Sequence, residues 1–126
     1  MILLKDNHVD FAGGITAALT RARDYCDRKV KDLRIEIETR NIDEIREALM
    51  TGIPDRIMLD NFSVEQTREA VRFIRFWEAS GEWRSLRGDN VHIEIESSGG
   101  ITIDTLRAYA ECGVDFVSVG ALTHSV

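Results

Sequence analysis

The stretch Val91-His-Ile-Glu-Ile-Glu-Ser-Ser-Gly-Gly100 carries the strongest fold signal in this sequence. Its first six residues alternate between apolar and polar side chains, as in a β-strand, and small residues follow at once. A second strand-like run, Val117-Ser-Val-Gly-Ala121, lies one predicted helix downstream. Two successive strand ends of this kind predict a β/α barrel with a phosphate cradle of backbone N–H groups, because large side chains would block the approach. The same residues also fit an ordinary βα turn at Ser98–Gly100 and a tight bend at Gly120.

Strand-like and helix-like segments alternate along the whole chain. The predicted strands are residues 2–5, 33–38, 56–59, 91–96 and 115–119. The predicted helices are residues 15–26, 41–50, 63–77 and 102–112, with Gly81 ending the third and a polar connector over 82–90. Asn41 with Glu44 and Ser63 with Gln66 have the spacing of capping boxes. Five strands separated by helices predict parallel βα units in one domain.

Composition excludes several classes of function. The 126 residues carry a formal net charge of −6, and the basic residues are interspersed with acids, which argues against a nucleic-acid surface. No apolar run approaches the ~20 residues that span a bilayer, and the apolar start of the chain is too short for a signal peptide, so we expect a cytoplasmic protein. Cys26 and Cys112 lack metal-type spacing and are expected to be buried free thiols.

Two of the predicted strands are unusual for a parallel sheet covered on both faces. Ile35-Glu-Ile-Glu38 and Ile93-Glu-Ile-Glu96 alternate strictly, whereas such strands normally read as continuous apolar runs. The solvated face of an open antiparallel sheet would explain the pattern. In a barrel, the isoleucines would face the helices and the glutamates the interior, where carboxylates are unfavourable unless compensated. The barrel interpretation therefore predicts a polar, ligand-occupied interior.

Polar or glycine residues follow every predicted strand, at the end where barrels place function. Lys5, Glu38 and Asp60 stand at three of these strand ends and should converge. A lysine, two or three carboxylates and a phosphate loop suit an anionic sugar phosphate whose second phosphate group is held by Mg²⁺ on carboxylates. Such a site favours transfer at an activated sugar carbon. Taken singly, Lys5 and Asp60 are more often surface ion-pairing groups.

Several motifs together resemble the quinolinate phosphoribosyltransferase family, also called nicotinate-nucleotide pyrophosphorylase (carboxylating). They occur in the family's order along the chain: Leu3-Leu-Lys-Asp-Asn-His8, Ile35-Glu-Ile-Glu38, Ile57-Met-Leu-Asp-Asn-Phe62, Glu96-Ser-Ser-Gly-Gly-Ile-Thr102 and residues 113–126. The resemblance implies a type II phosphoribosyltransferase barrel. It also implies that quinolinate and phosphoribosyl pyrophosphate react, with Mg²⁺, to nicotinate mononucleotide, pyrophosphate and CO₂ in NAD biosynthesis.

The resemblance also implies roles for single residues. Lys5 would contact a quinolinate carboxylate, and Glu38 and Asp60 would serve the ribose and the metal-bound pyrophosphate. The residues that would hold the 5′-phosphate are Ser98, Gly99, Gly100, Gly120 and Ala121. Four further motif residues fit either a supporting or a purely structural role: Asp6, His8, Glu96 and His124.

The departures from the family pattern are as informative as the match. The resemblance implies a longer chain with an N-terminal domain and a first barrel strand, whose basic residues grip quinolinate, and these are absent here. We therefore interpret residues 1–126 as part of the C-terminal barrel domain, with five of about six strands. Family members are expected to form homodimers in which one subunit's N-terminal domain completes the other's active site, so this chain alone should be inactive and should self-associate.

Two other functions stay open at this stage. One is a related barrel acting on another substrate, such as the molybdenum-transport-associated homologues. The other is a non-catalytic domain that binds a phosphorylated metabolite or a partner chain. Lys5, Glu38 and Asp60 together favour the phosphoribosyltransferase, because a pure binder has no need of metal-side carboxylates opposite a phosphate loop.

Overall fold

The computed structural model of the chain describes residues 1–29 and 33–126. The strands are β1 Ile2–Leu4, β2 Ile35–Thr39, β3 Arg56–Asp60, β4 Glu94–Ser98, β5 Phe116–Val119 and β6 Leu122–Ser125. The helices are α1 Asp6–Ala12, α2 Ile15–Lys29, α3 Ile42–Thr51, α4 Val64–Glu78, α5 Gly81–Arg87 and α6 Ile103–Ala110. All five predicted strands are present, each within a few residues of its predicted bounds. The predicted strand 33–38 begins two residues later in the structure, at Ile35.

One curled sheet forms half of a barrel, with its strands in chain order from β1 to β6. Strands β1 to β5 are parallel, which confirms the predicted βα units. Because parallel neighbours need a crossover connection, each strand from β1 to β4 is followed by at least one helix on the outer face. The carboxyl ends of β1 to β5 consequently meet at one edge of the sheet.

Strand β6 was not predicted, and it runs antiparallel to β5. Val119 pairs with Leu122, so Gly120 and Ala121 form a two-residue hairpin turn, and Gly120 adopts a φ of +61°. A connection this short cannot cross over to a parallel position, so it returns the chain along β5. Strand β5 therefore lies inside the sheet, and β1 and β6 are its edges.

Two short helices lie where the sequence predicted none. Helix α1 follows Lys5 directly, and α5 occupies most of the predicted polar connector. Gly81 begins α5 rather than ending α4, because the Ser80 side chain accepts a hydrogen bond from the amide of Trp83 and caps the new helix. Trp83 is fully buried and its indole N–H donates to the carbonyl of Val91. Burial of one aromatic side chain thus explains why the connector is helical.

The predicted capping boxes differ in outcome. Ser63 and Gln66 form both reciprocal hydrogen bonds at the start of α4, as predicted. At α3, Asn41 accepts from the amide of Glu44, but the Glu44 carboxylate accepts from the amide and guanidinium of Arg40 instead of returning to Asn41. Charge pairing with arginine displaces the second half of that box.

The hydrophobic core lies between the outer face of the sheet and the helices. Isoleucines from the middle strands, among them Ile37, Ile57 and Ile95, are fully buried there against apolar residues of α2, α3 and α4. Cys26 and Cys112 are buried free cysteines, as predicted. None of the helices in the described segments is long and apolar enough to cross a membrane.

Two aspartates tie the strands together at the opposite, amino-terminal edge of the sheet. The Asp55 carboxylate accepts the amide of Ile35 at 2.8 Å and the guanidinium of Arg87 at 2.8 Å. Asp115 accepts the amide of Ile95 at 2.8 Å in the same way. These contacts give that edge a structural role and leave the carboxyl-end edge for chemistry.

Candidate functional site

The inner face of the sheet carries the acidic side chains, as the strand alternation predicted. Strand register places Met58 between Glu38 and Glu96, and Asp60 beside Ser98. Residues in register across neighbouring strands point to the same face, so these side chains line the interior while the isoleucines face the helices. The alternative of a solvated open antiparallel sheet is wrong, because Glu36 and Glu96 are each only 5% exposed.

An arginine that the sequence analysis missed compensates the interior carboxylates. The Arg56 guanidinium donates to Glu94 at 3.3 Å and to Glu96 at 3.2 Å, and its carbon lies 3.8 Å from the centre of the Phe116 ring. Glu96 also accepts from the hydroxyl of Ser118 at 2.9 Å. Glu96 is therefore part of an interior hydrogen-bond network. The sequence does contain a signal for this role, because Arg56 is a charged residue at the start of an otherwise apolar strand.

Glu36 is the interior carboxyl that this network leaves least satisfied. Its Oε2 atom is buried without a hydrogen-bond partner in the described part of the chain. Burial, followed by the neighbouring Glu96, raises the pKa of Glu36 to about 8, and the charge of Arg56 only partly opposes this. Glu36 is consequently a protonated side chain at neutral pH.

Lys5, Glu38 and Asp60 come together at the carboxyl-end edge, as predicted. The backbone amide of Asp6 donates to Glu38 Oε1 at 3.1 Å, which connects the end of β1 to the end of β2. Burial raises the pKa of Glu38, and the charges of Asp60 and Asp6 add to the effect, whereas the Asp6 amide and Lys5 oppose it. Glu38 therefore lies within electrostatic reach of both Lys5 and Asp60, and an added cation would relieve its repulsion from Asp60.

The predicted phosphate turn follows β4 at the same edge. Gly99 and Gly100 adopt φ values of +91° and +69°, a left-handed backbone that favours glycine. Among the described residues, no acceptor receives a hydrogen bond from the amides of Gly99 and Gly100. Gly120 and Ala121 lie in the exposed hairpin turn after the neighbouring strand β5. Unsatisfied amides near the start of α6 have the polarity that an anion requires.

Two of the remaining motif residues, His8 and His124, have exposed side chains. His8 is exposed on α1, where it lines an apolar groove together with Phe11 and Tyr25. His124 is exposed on β6. Asp6 is part of the cluster through its backbone amide, as described above.

A metal ion at this edge would need some of its coordinating oxygens from a bound ligand or from water. Within residues 1–29 and 33–126, no three histidine, cysteine or acidic side chains are grouped closely enough to hold a metal ion by themselves. Glu38 and Asp60 are nevertheless oxygen donors of the kind that Mg²⁺ prefers, and Mg²⁺ commonly completes its shell with water and substrate phosphates. The donor set thus fits a phosphate-bridged Mg²⁺ bound at an open edge.

The chain matches known proteins of one family along its whole length. The family described as quinolinate phosphoribosyl transferase, C-terminal domain, matches residues 1–126. The chain belongs to this family. A probable nicotinate-nucleotide pyrophosphorylase (carboxylating) of Methanocaldococcus jannaschii is 40% identical over 99% of the chain, and the chloroplastic enzyme of that name from Arabidopsis thaliana is 35% identical over all of it.

Solved structures of the family agree with the fold. The nicotinate-nucleotide pyrophosphorylase of Francisella tularensis superposes with a TM-score of 0.74 at 35% identity over 99% of the chain. The one from Ehrlichia chaffeensis gives 0.72 at 33% identity over 94%. The chain spans only 36% to 40% of the length of the two relatives named above and 38% of the Francisella structure.

Proposed function

We propose that this chain supplies the phosphate and metal half of a quinolinate phosphoribosyltransferase site. The observation that carries the proposal is the convergence of Lys5, Glu38 and Asp60 beside a glycine turn with unsatisfied amides, in a chain that belongs to this family. The reaction transfers the phosphoribosyl group of phosphoribosyl pyrophosphate to quinolinate. The products are nicotinate mononucleotide, pyrophosphate and CO₂.

Each group has a chemical task in this proposal. The bond between the ribose anomeric carbon and pyrophosphate breaks, and a bond from that carbon to the quinolinate ring nitrogen forms. A ring carboxylate then leaves as CO₂, and the electron pair left on the ring carbon takes up a proton from solvent. Glu38 and Asp60 stabilise positive charge as it develops on the ribose. The same two carboxylates would hold Mg²⁺, which when bound would supply positive charge for the pyrophosphate. Lys5 pairs with a quinolinate carboxylate. Ser98 and the glycine amides fix the 5′-phosphate.

The wider setting is also part of the proposal. We place the active form in a homodimer or higher homo-oligomer in the cytoplasm, as the sequence analysis anticipates. The relatives' names include chloroplastic and mitochondrial forms.

Calorimetric titration of the 126-residue chain tests the proposal. Phosphoribosyl pyrophosphate with Mg²⁺ should bind, quinolinate alone should bind poorly, and Asp60→Asn should weaken the sugar-phosphate binding. Asp89→Asn is the matched control, because Asp89 is exposed in the loop between α5 and β4. Tight binding of quinolinate without the sugar phosphate, or equal effects of the two substitutions, would show the assignment of this half-site to be wrong.

A further inference from the structure

The loop after β3 contains a residue with an unusual backbone. Asn61 adopts a φ of +58°, in the left-handed region, and it follows Asp60 directly. Asparagine tolerates this conformation better than most residues, but non-glycine residues there usually mark a constraint set by their surroundings. Asn90, with a φ of +60°, is the other described non-glycine residue in this region. It belongs to the loop before β4, at the far edge of the sheet.

Asn61 touches the phosphate turn through its backbone and its side chain. Its amide N–H donates to the carbonyl of Ser98 at 2.9 Å, one residue beyond the point where β3 and β4 pair. A Cβ built on Gly99 would lie 2.6 Å from Asn61 Oδ1 and 2.9 Å from its Cγ. Real Cβ atoms do not approach that closely, so the Asn61 amide group occupies the space directly over Gly99.

The same loop is fixed on its other side. The hydroxyl of Tyr109, on α6, donates to the carbonyl of Phe62 at 2.9 Å, and Phe62 is buried. Helix α6 is the helix that follows the phosphate turn. The loop from Asp60 to Phe62 is therefore attached both to the turn and to the helix that follows it.

We propose that Asn61 is a positioning residue, whose side-chain amide packs on Gly99 and sets the separation between Asp60 and the Ser98–Gly100 turn. This inference rests on the proposed function, in which Asp60 serves the metal-bound pyrophosphate and the turn serves the 5′-phosphate. Both phosphate-bearing ends of one ligand then meet groups held at a fixed spacing. Holding that spacing before the ligand arrives lowers the ordering cost of binding.

Asn61→Gly distinguishes the contribution of the Asn61 side chain from that of its backbone. Glycine keeps the left-handed conformation and the amide donor to Ser98, so two side-chain contacts are lost: the packing on Gly99 and the 3.5 Å hydrogen bond that Asn61 Nδ2 donates to the Asp60 carboxylate. We expect the affinity for phosphoribosyl pyrophosphate with Mg²⁺ to fall about tenfold, because a loop that must be ordered on binding lowers the affinity by about this much. Asn90→Gly is the control, because it makes the same change at the same backbone conformation away from the turn.

A double-mutant cycle with Gly99→Ala isolates the contact. The added methyl group meets the Asn61 side-chain amide in the parent chain, whereas in Asn61→Gly only its contact with the backbone nitrogen of residue 61, at 3.0 Å, remains. The loss of affinity from Gly99→Ala should therefore be smaller in the Asn61→Gly background. Strain from alanine at a φ of +91° is common to both backgrounds and cancels. Independent effects of the two substitutions would contradict the proposed packing.

The readouts separate the inference from the function on which it rests. If the parent chain binds the sugar phosphate and Asn61→Gly binds it as Asn90→Gly does, the positioning role is wrong while the function stands. If the parent chain binds neither phosphoribosyl pyrophosphate nor inorganic phosphate, the proposed function is wrong. In that case the NMR amide signals of Gly99 and Gly100 still decide the positioning role. They should shift in ligand-free Asn61→Gly and not in Asn90→Gly, and unchanged signals would overturn the inference.

Discussion

Replacing Glu36 with glutamine should stabilise this chain at neutral pH. The pKa of Glu36 is raised from 4.5 to about 8 in the folded protein, chiefly by burial. Below pH 4.5 the carboxyl is protonated in both the folded and the unfolded state, so it makes no difference. Between pH 4.5 and 8 only the unfolded state ionises, and the free energy of unfolding falls by about 1.4 kcal/mol per pH unit. At pH 7 the accumulated loss is on the order of 3 kcal/mol.

Urea unfolding at pH values from 5 to 9 measures this effect. Glutamine keeps the shape of the side chain but cannot ionise, so Glu36→Gln should become progressively more stable than the parent chain up to about pH 8, with a constant difference above it. Glu69→Gln, on the exposed surface of α4, is the control and should track the parent chain. Parallel stability curves for the parent and Glu36→Gln would refute a protonated Glu36 in the interior.

Two further predictions concern catalysis and assembly. In an active enzyme that carries this barrel, Glu38→Gln and Asp60→Asn should lower turnover far more than the melting temperature, because relieving repulsion between interior charges can offset lost contacts. Kinetics alongside calorimetry tests this, and early melting with normal turnover per folded molecule would argue against a catalytic role. The chain should also self-associate through the open edge of β1, which light scattering measures. Leu3→Pro should reduce this association: the Ile2 amide donates to Arg34 on the side of β2, so the next amide, that of Leu3, faces outward and is the donor that proline removes. A monodisperse parent chain would contradict it.

The alternation of apolar and polar residues, with the turn residues between the segments, was enough to locate the five parallel strands. Strict alternation in Ile35-Glu-Ile-Glu38 indicates which side chains face the helices, because successive side chains of any strand point to opposite faces of the sheet. Residues at the ends of parallel strands converge in any barrel, so Lys5, Glu38 and Asp60 could be grouped from their positions in the chain. Capping by Ser63 and Gln66 was equally predictable, since both hydrogen bonds are local.

Only the tertiary structure decided the features that depend on distant partners. Helix α5 exists because Trp83 finds a buried site, and β6 pairs back on β5 because a two-residue turn allows no crossover. Arg56 had no visible role until Glu94 and Glu96 were placed beside it by the register of β3 and β4. Local sequence determines backbone periodicity, but the charge and contacts of an interior group depend on neighbours that the chain brings close only when the sheet curls.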